Sequence, residues 1–136
     1  MIGSGIGQSE HSINVVILDD QHEVLFENIR LLEEAMKRGA GASEVPRTLD
    51  NLIELTKFHF PTEERLMRTY KYPLRDSHAI EHKVLSRHLR KMFSLVRAGD
   101  CTVAIQLIDL LYHWQLSHVV NWDARMGEYL NDRGVR

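Results

Sequence analysis

Four stretches of this sequence each carry apolar residues at helical intervals, and short breaks rich in glycine, serine, proline or aspartate separate them. The first stripe runs from His22 through Leu25, Phe26, Ile29, Leu32 and Met36. "RGAGAS" ends it, with Gly39 suited to the position after the last turn. The second face carries Val45, Leu49, Leu52, Thr56, His59, Glu63, Leu66 and Tyr70. Ser43 is its expected cap, and Pro46 is harmless in a first turn. After "YKYPLRDS" a third helix is expected to start at Asp76 or Ser77 and to bear His78, His82, Leu85, Leu89, Phe93 and Val96. "RAGD" then turns the chain, with Asp100 as the expected cap of a fourth helix. On that helix Leu107, Leu111, Trp114 and His118 share a face, while Ile105, Ile108 and Leu110 spread onto others. This pattern predicts an all-α, up-down-up-down four-helix bundle.

The N-terminal "MIGSGIGQSEHS" reads as a loose arm. "INVVIL" follows as the only strand-like run, and Asp19 or Asp20 is the expected cap of the first helix. A chain of 136 residues is expected to form a single domain, 1–136, that buries its own core. One cysteine, Cys101, excludes an intramolecular disulfide. The apolar runs are too short to span a bilayer and no signal peptide is visible, so a cytoplasmic location is expected. The net charge of −2, with both signs mixed, offers no footprint for nucleic acid or an anionic membrane.

Eight histidines in such a chain need a reason. His22 sits on the first face, His59 with Glu63 on the second, His78 with His82 on the third, and His118 with Asp123 at the end of the fourth. An i, i+4 pair places two side chains one turn apart on one face, where they can grip one ion. His118 and Asp123 stand i, i+5, which turns about 140° on an α-helix and calls for a loosened turn or a reach toward a second ion. A lone His22 would read as a buried, hydrogen-bonded histidine. Five imidazoles and two carboxylates on the inner faces of all four helices would be a costly interior without metal. By contrast His88 and His113 are offset from the ligand faces and His11 lies in the arm, so all three are read as solvated.

Nitrogen and carboxylate donors without thiolate suit iron, manganese, zinc or copper. Seven residues are too many for one ion and fit two. Two octahedral ions offer about twelve positions. Five imidazoles, two bridging carboxylates and one bridging hydroxide or oxide leave one position open for a small exogenous ligand.

"DDQH", "HFPTEE", "HAIEH" and "HWQLSHVVNWD", spread over residues 19 to 123, resemble the hemerythrin family of non-haem di-iron, oxygen-binding four-helix bundles. The resemblance implies two iron ions bridged by oxide or hydroxide. His78, His82 and His118 would hold one iron, and His22 and His59 the other, with Glu63 and Asp123 bridging. Molecular oxygen, or another small diatomic ligand, would bind at the two-histidine iron. Leu25, Phe60, Trp114, Gln115 and Val119 match pocket-lining positions. The sequence departs from the family twice: "HSINVVIL" lacks the tryptophan usual in the arm, and Gln115 stands where leucine is usual.

Pro61 lies between His59 and Glu63, and an interior proline costs a helix about 3 kcal/mol. The stripe continuing through Leu66 and Tyr70 predicts one continuous helix, with shared metal coordination holding the turn. The expected function is oxygen binding for storage, delivery or sensing. The alternatives are a di-iron oxidase or peroxidase, a nitric oxide-reducing enzyme, or an oxygen- or iron-responsive signalling module. No further acid–base pair is visible beside the ligands, which weighs against an enzyme.

Overall fold

The computed structural model describes residues 11–38, 44–99 and 101–136, without the side chains of 101–107 and 110. Four long helical stretches pack as a bundle: α1 (Val16–Lys37), α2 (Glu44–Thr69), α3 (Arg75–Arg97) and α4 (Cys101–Ser117). The fourth continues through a π-helical turn, His118–Asp123, into α5 (Ala124–Asp132). Helices α1 and α2, α2 and α3, α3 and α4, and α4 and α1 are neighbours, so α1 and α3 face each other diagonally. Among the described residues there is no strand. No helix among them is long and apolar enough to cross a membrane.

The inner faces are those the apolar periodicity marks. One cluster gathers Leu25, Ile29, Leu32, Leu49, Leu52, Leu85, Leu89 and Leu111 around the long axis of the bundle. A second cluster, at the other end, joins Ile13, Val15 and Leu18 to Met67, Tyr72, Met126 and Leu130. The polar site lies on those same inner faces, carried on rigid helix rather than on loops.

Several local expectations need correction. The first helix begins at Val16, ahead of Asp19 and Asp20, because Asp19 works backwards. Its carboxylate accepts hydrogen bonds from the Ser12 hydroxyl (2.6 Å) and the Ile13 N–H (2.9 Å). Ser12, the last residue of the expected loose arm, is therefore tied down together with Ile13, which lies where a Cβ on Gly127 would approach within 2.7 Å. Only a glycine at 127 admits it. Val16, Ile17 and Leu18 of the strand-like run are helical. The third helix starts at Arg75, with neither Asp76 nor Ser77 as its cap. The expectations for residues 1–10, Gly39, Ser43 and Asp100 lie outside the described residues, as do the side chains of Ile105 and Leu107.

Helix α2 runs unbroken through Pro61, as the stripe predicts. Thr62 Oγ1 donates to Phe58 O at 2.9 Å beside the proline. Beyond Glu63 the inner face passes through the buried Met67, while Leu66 and Tyr70 are half-buried flank. The helix ends with Lys71 left-handed at φ 56° and Tyr72 N–H donating to Met67 O at 2.8 Å. The Tyr129 hydroxyl lies 2.7 Å from Tyr70 O and 3.0 Å from Lys71 O, which clamps that turn to α5.

Candidate metal centre

His22 from α1, His59 and Glu63 from α2, His78 and His82 from α3, and His118 and Asp123 from the π turn meet in the middle of the bundle, all buried. The π turn is the loosened turn that the i, i+5 spacing requires. One extra residue in that turn brings Asp123 back beneath His118, with Nε2 and Oδ1 3.0 Å apart. His59 and Glu63 approach to 2.8 Å across Pro61.

The carboxylate oxygens sort the histidines into two groups. Glu63 Oε1 faces His78 Nε2 (3.3 Å) and His82 Nε2 (2.9 Å), while Asp123 Oδ1 faces His78 Nε2 (2.9 Å) and His118 Nε2 (3.0 Å). The other two oxygens look the opposite way. Glu63 Oε2 faces His59 Nε2 (2.8 Å) and His22 Nε2 (3.1 Å), and Asp123 Oδ2 faces His22 Nε2 (2.9 Å). Two sets result, one of His78, His82 and His118 and one of His22 and His59, each completed by both carboxylates, with donor atoms within 4.8 Å of one another.

Three of these approaches are hydrogen bonds, His22 Nε2 to Glu63 Oε2, His78 Nε2 to Asp123 Oδ1 and His82 Nε2 to Glu63 Oε1. His59 Nε2, His118 Nε2 and Asp123 Oδ2, by contrast, have no aligned hydrogen-bond partner although opposite charges lie about them. Donor atoms gathered within 4.8 Å of one another, three of them unpartnered, fit cations seated between them. The donor chemistry, imidazole nitrogen and carboxylate oxygen, suits iron among the transition metals. The cluster therefore fits a metal site.

Charge points the same way. Burial raises the carboxyl of Glu63 and that of Asp123, yet the surrounding imidazoles hold both well below the usual carboxylate range. Burial also works against charged rings, but Asp123 and Glu63 outweigh it and push His22 up to about 10 and His78 to about 9. His82 is raised against burial by Glu63 and Glu64. His59 goes down, because burial dominates there. Two buried anions demand cations, whether protons or metal.

Two outer partners were not assigned from the sequence. His59 Nδ1–H donates to Gln21 Oε1 at 2.6 Å, and His82 Nδ1–H donates to Glu64 Oε2 at 2.8 Å. Each bond fixes a tautomer that leaves Nε2 free to coordinate. Gln21 and Glu64 stand inside the quoted "DDQH" and "HFPTEE", next to His22 and Glu63, and adjacency to a ligand was the available signal. The Nδ1 atoms of His22, His78 and His118 are buried without a partner.

Around the cluster, Leu25, Phe60 and Val119 are buried, and Phe60 stacks on His82 with ring centroids 4.1 Å apart. Gln115 takes the more deeply buried position on α4, and its Nε2 has no partner. Trp114 is half-buried and lies 5.6 Å from the His88 ring. The most buried line of α4 thus runs through Leu111, Gln115 and His118, with Trp114 at its edge, still packed against the main core cluster as the face drawn through it expects. His88 and His113 are exposed, as their offsets predict, whereas His11 is partly buried rather than solvated.

A family model described as the hemerythrin HHE cation binding domain matches residues 14–130. The chain is 28% identical over 119 residues to a bacteriohemerythrin of Pseudomonas paraeruginosa, covering 88% of this chain and 76% of that protein. It is also 28% identical over 123 residues to a bacteriohemerythrin of Methylococcus capsulatus, covering 90% and 93%. One from Campylobacter jejuni is 24% identical over 123 residues, covering 90% and 92%.

Proposed function

The chain belongs to the hemerythrin family, and from that premise we propose that it binds molecular oxygen reversibly at a non-haem di-iron centre, for storage, delivery or sensing. The observation that carries this reading is the unequal division of five histidines between two carboxylate-linked sets, three against two. Equal coordination demands then leave the His22–His59 side one donor short, and a small ligand completes it. When bound, the iron pair supplies the electrons that oxygen binding draws on. The remaining work belongs to side chains. Glu63 and Asp123 bridge, Gln21 and Glu64 hold His59 and His82 in the coordinating tautomer, and Leu25, Phe60 and Val119 keep water out. We read residues 1–136 as one such domain, working in the cytoplasm.

The test is oxygen titration of the reduced, iron-loaded protein followed by its visible spectrum. A spectrum that forms with oxygen and vanishes under argon supports the reading. Immediate, irreversible oxidation with oxygen consumed would replace it with a di-iron oxidase or peroxidase. One observation favours that second reading, the buried Gln115 side chain, whose unpartnered Nε2 brings a polar group into the inner face of α4.

A further inference from the structure

The two sides of the bundle carry opposite charge. Helix α3 holds six lysines and arginines against two acidic residues, and α1, diagonally across, holds six acidic residues against two basic. On α3 the spacing i, i+4, i+7 sets Lys83, Arg87 and Arg90 along one edge of a groove of about 410 Å³ between α2 and α3. Lys57 lies on the opposite wall and is already paired with Glu54 at 3.1 Å. Among the described residues Lys83, Arg87 and Arg90 have no ion pair or hydrogen bond. Some exposed cations, such as Arg38 and Lys37, find carboxylates, but what sets these three apart is their alignment along one groove edge.

The groove also reaches the candidate centre. Phe60 and His82 line its floor together with Glu64, whose side chain is 28% exposed and accepts the His82 Nδ1 proton. A molecule seated here would be separated from the cluster by one imidazole. On the other side of α2, the groove at Gln21 and His59 is lined by Ile17, Val24 and Phe58 beside the acidic α1, and it would repel an acidic partner.

Resting on the di-iron reading, we propose that the α2–α3 groove is the docking surface for an acidic one-electron redox protein, carrying flavin or an iron–sulfur centre, that reduces the oxidised site through His82. The balance closes without another reagent. Each docking event takes one electron from the donor cofactor, and two such events return a ferric pair to the ferrous state. Unpaired rim cations around a contact point close to the redox centre speed encounter with an acidic surface and orient it.

The experiment uses the iron-loaded protein, labelled with ¹⁵N, and an acidic plant-type ferredoxin as the probe. Amide shifts are expected at Lys57, Lys83, Arg87 and Arg90 in low salt, fading as ionic strength rises. The K83E/R87E/R90E variant should slow reduction by the ferredoxin about tenfold or more, with iron content unchanged. Its reduction by the pre-reduced methyl viologen radical cation should be as fast or faster. Shifts confined to other helices, an unchanged ferredoxin rate in the variant, or the same shifts from inorganic phosphate at equal concentration would each overturn the proposal. If the methyl viologen radical cation fails to reduce the wild-type centre, the di-iron reading falls instead, and the amide shifts still decide the docking surface.

Discussion

His118 and Asp123 stand five residues apart on one π-helical turn, and their side chains meet 3.0 Å from each other at the floor of the cluster. The extra residue is taken up locally, so α5 keeps its inner face, with Met126 and Leu130 fully buried. Deleting Val120, which is exposed on this turn, should convert it to an ordinary α-turn with the two ligands at i, i+4. The deletion is therefore expected to keep the fold and most of the iron. Inserting an alanine after Val120 should rotate α5 by about 100° and abolish folding. Circular dichroism and iron analysis of the two variants decide, and the opposite ranking would refute the account of the turn.

Gln115 carries a buried amide with an unpartnered Nε2. Gln115→Leu should remove that liability and stabilise the fold by about 1 kcal/mol. It should also slow the rate at which the reduced, oxygen-exposed protein oxidises, because the pocket loses a polar group that can hold water. Denaturant midpoints and oxidation half-lives of the two proteins in one buffer test this. An unchanged midpoint with equal or faster oxidation would reject it.

The helices and the seven inward residues were legible because both signals are periodic. Apolar spacing draws the inner faces, and the pairs His59–Glu63 and His78–His82 fall on them. The i, i+5 offset of Asp123 was legible as a loosened turn for the same reason. The arm was not legible, because Ile13 and Val15 are buried by contacts with α5, distant in sequence, and by the absence of a side chain at Gly127. The roles of Asp19, Gln21 and Glu64 depend on which atom of a distant residue each one reaches, and no local pattern records that. The inward turn of Gln115 was hidden for another reason: with apolar residues around the whole of α4, periodicity alone does not rank Trp114 against its neighbour.

Gly127→Ala tests the seat of the arm. Alanine gains about 1 kcal/mol of helix propensity over glycine. Its Cβ, however, would stand 2.8 Å from the backbone oxygen of Ile13, which no side-chain rotation relieves. Overpacking of this kind costs about 1–3 kcal/mol, so net destabilisation is expected by chemical denaturation, with residues 12–15 gaining hydrogen exchange. A more stable variant would show that Ile13 does not rest on α5.

The metal-free protein should have its own pH profile. His22 and His78, raised to about 10 and about 9 from 6.5, stabilise the fold fully below about 6.5, and this is lost as pH climbs toward 9–10. Glu63 and Asp123, held below their ordinary 4.5 and 3.8, stabilise it above those values and lose that effect in acid. The chelated protein should therefore melt highest between about 4.5 and 6.5, with His59, lowered by burial, opposing the other two histidines below 6.5. The metal-loaded protein should gain through the neutral range, because protons compete with metal for the imidazoles. Melting temperatures against pH, with and without chelator, should diverge above about 6.5. Parallel curves would mean that the cluster does not bind metal.

Iron per folded chain, measured by native mass spectrometry on protein produced with iron, tests the central claim most directly. The account expects two irons in the wild type, fewer in His82→Ala, and two again in His88→Ala, whose ring lies outside the cluster with Nδ1 2.8 Å from Val84 O. A wild-type chain carrying one iron or none, or a His82→Ala chain that keeps both, would contradict it.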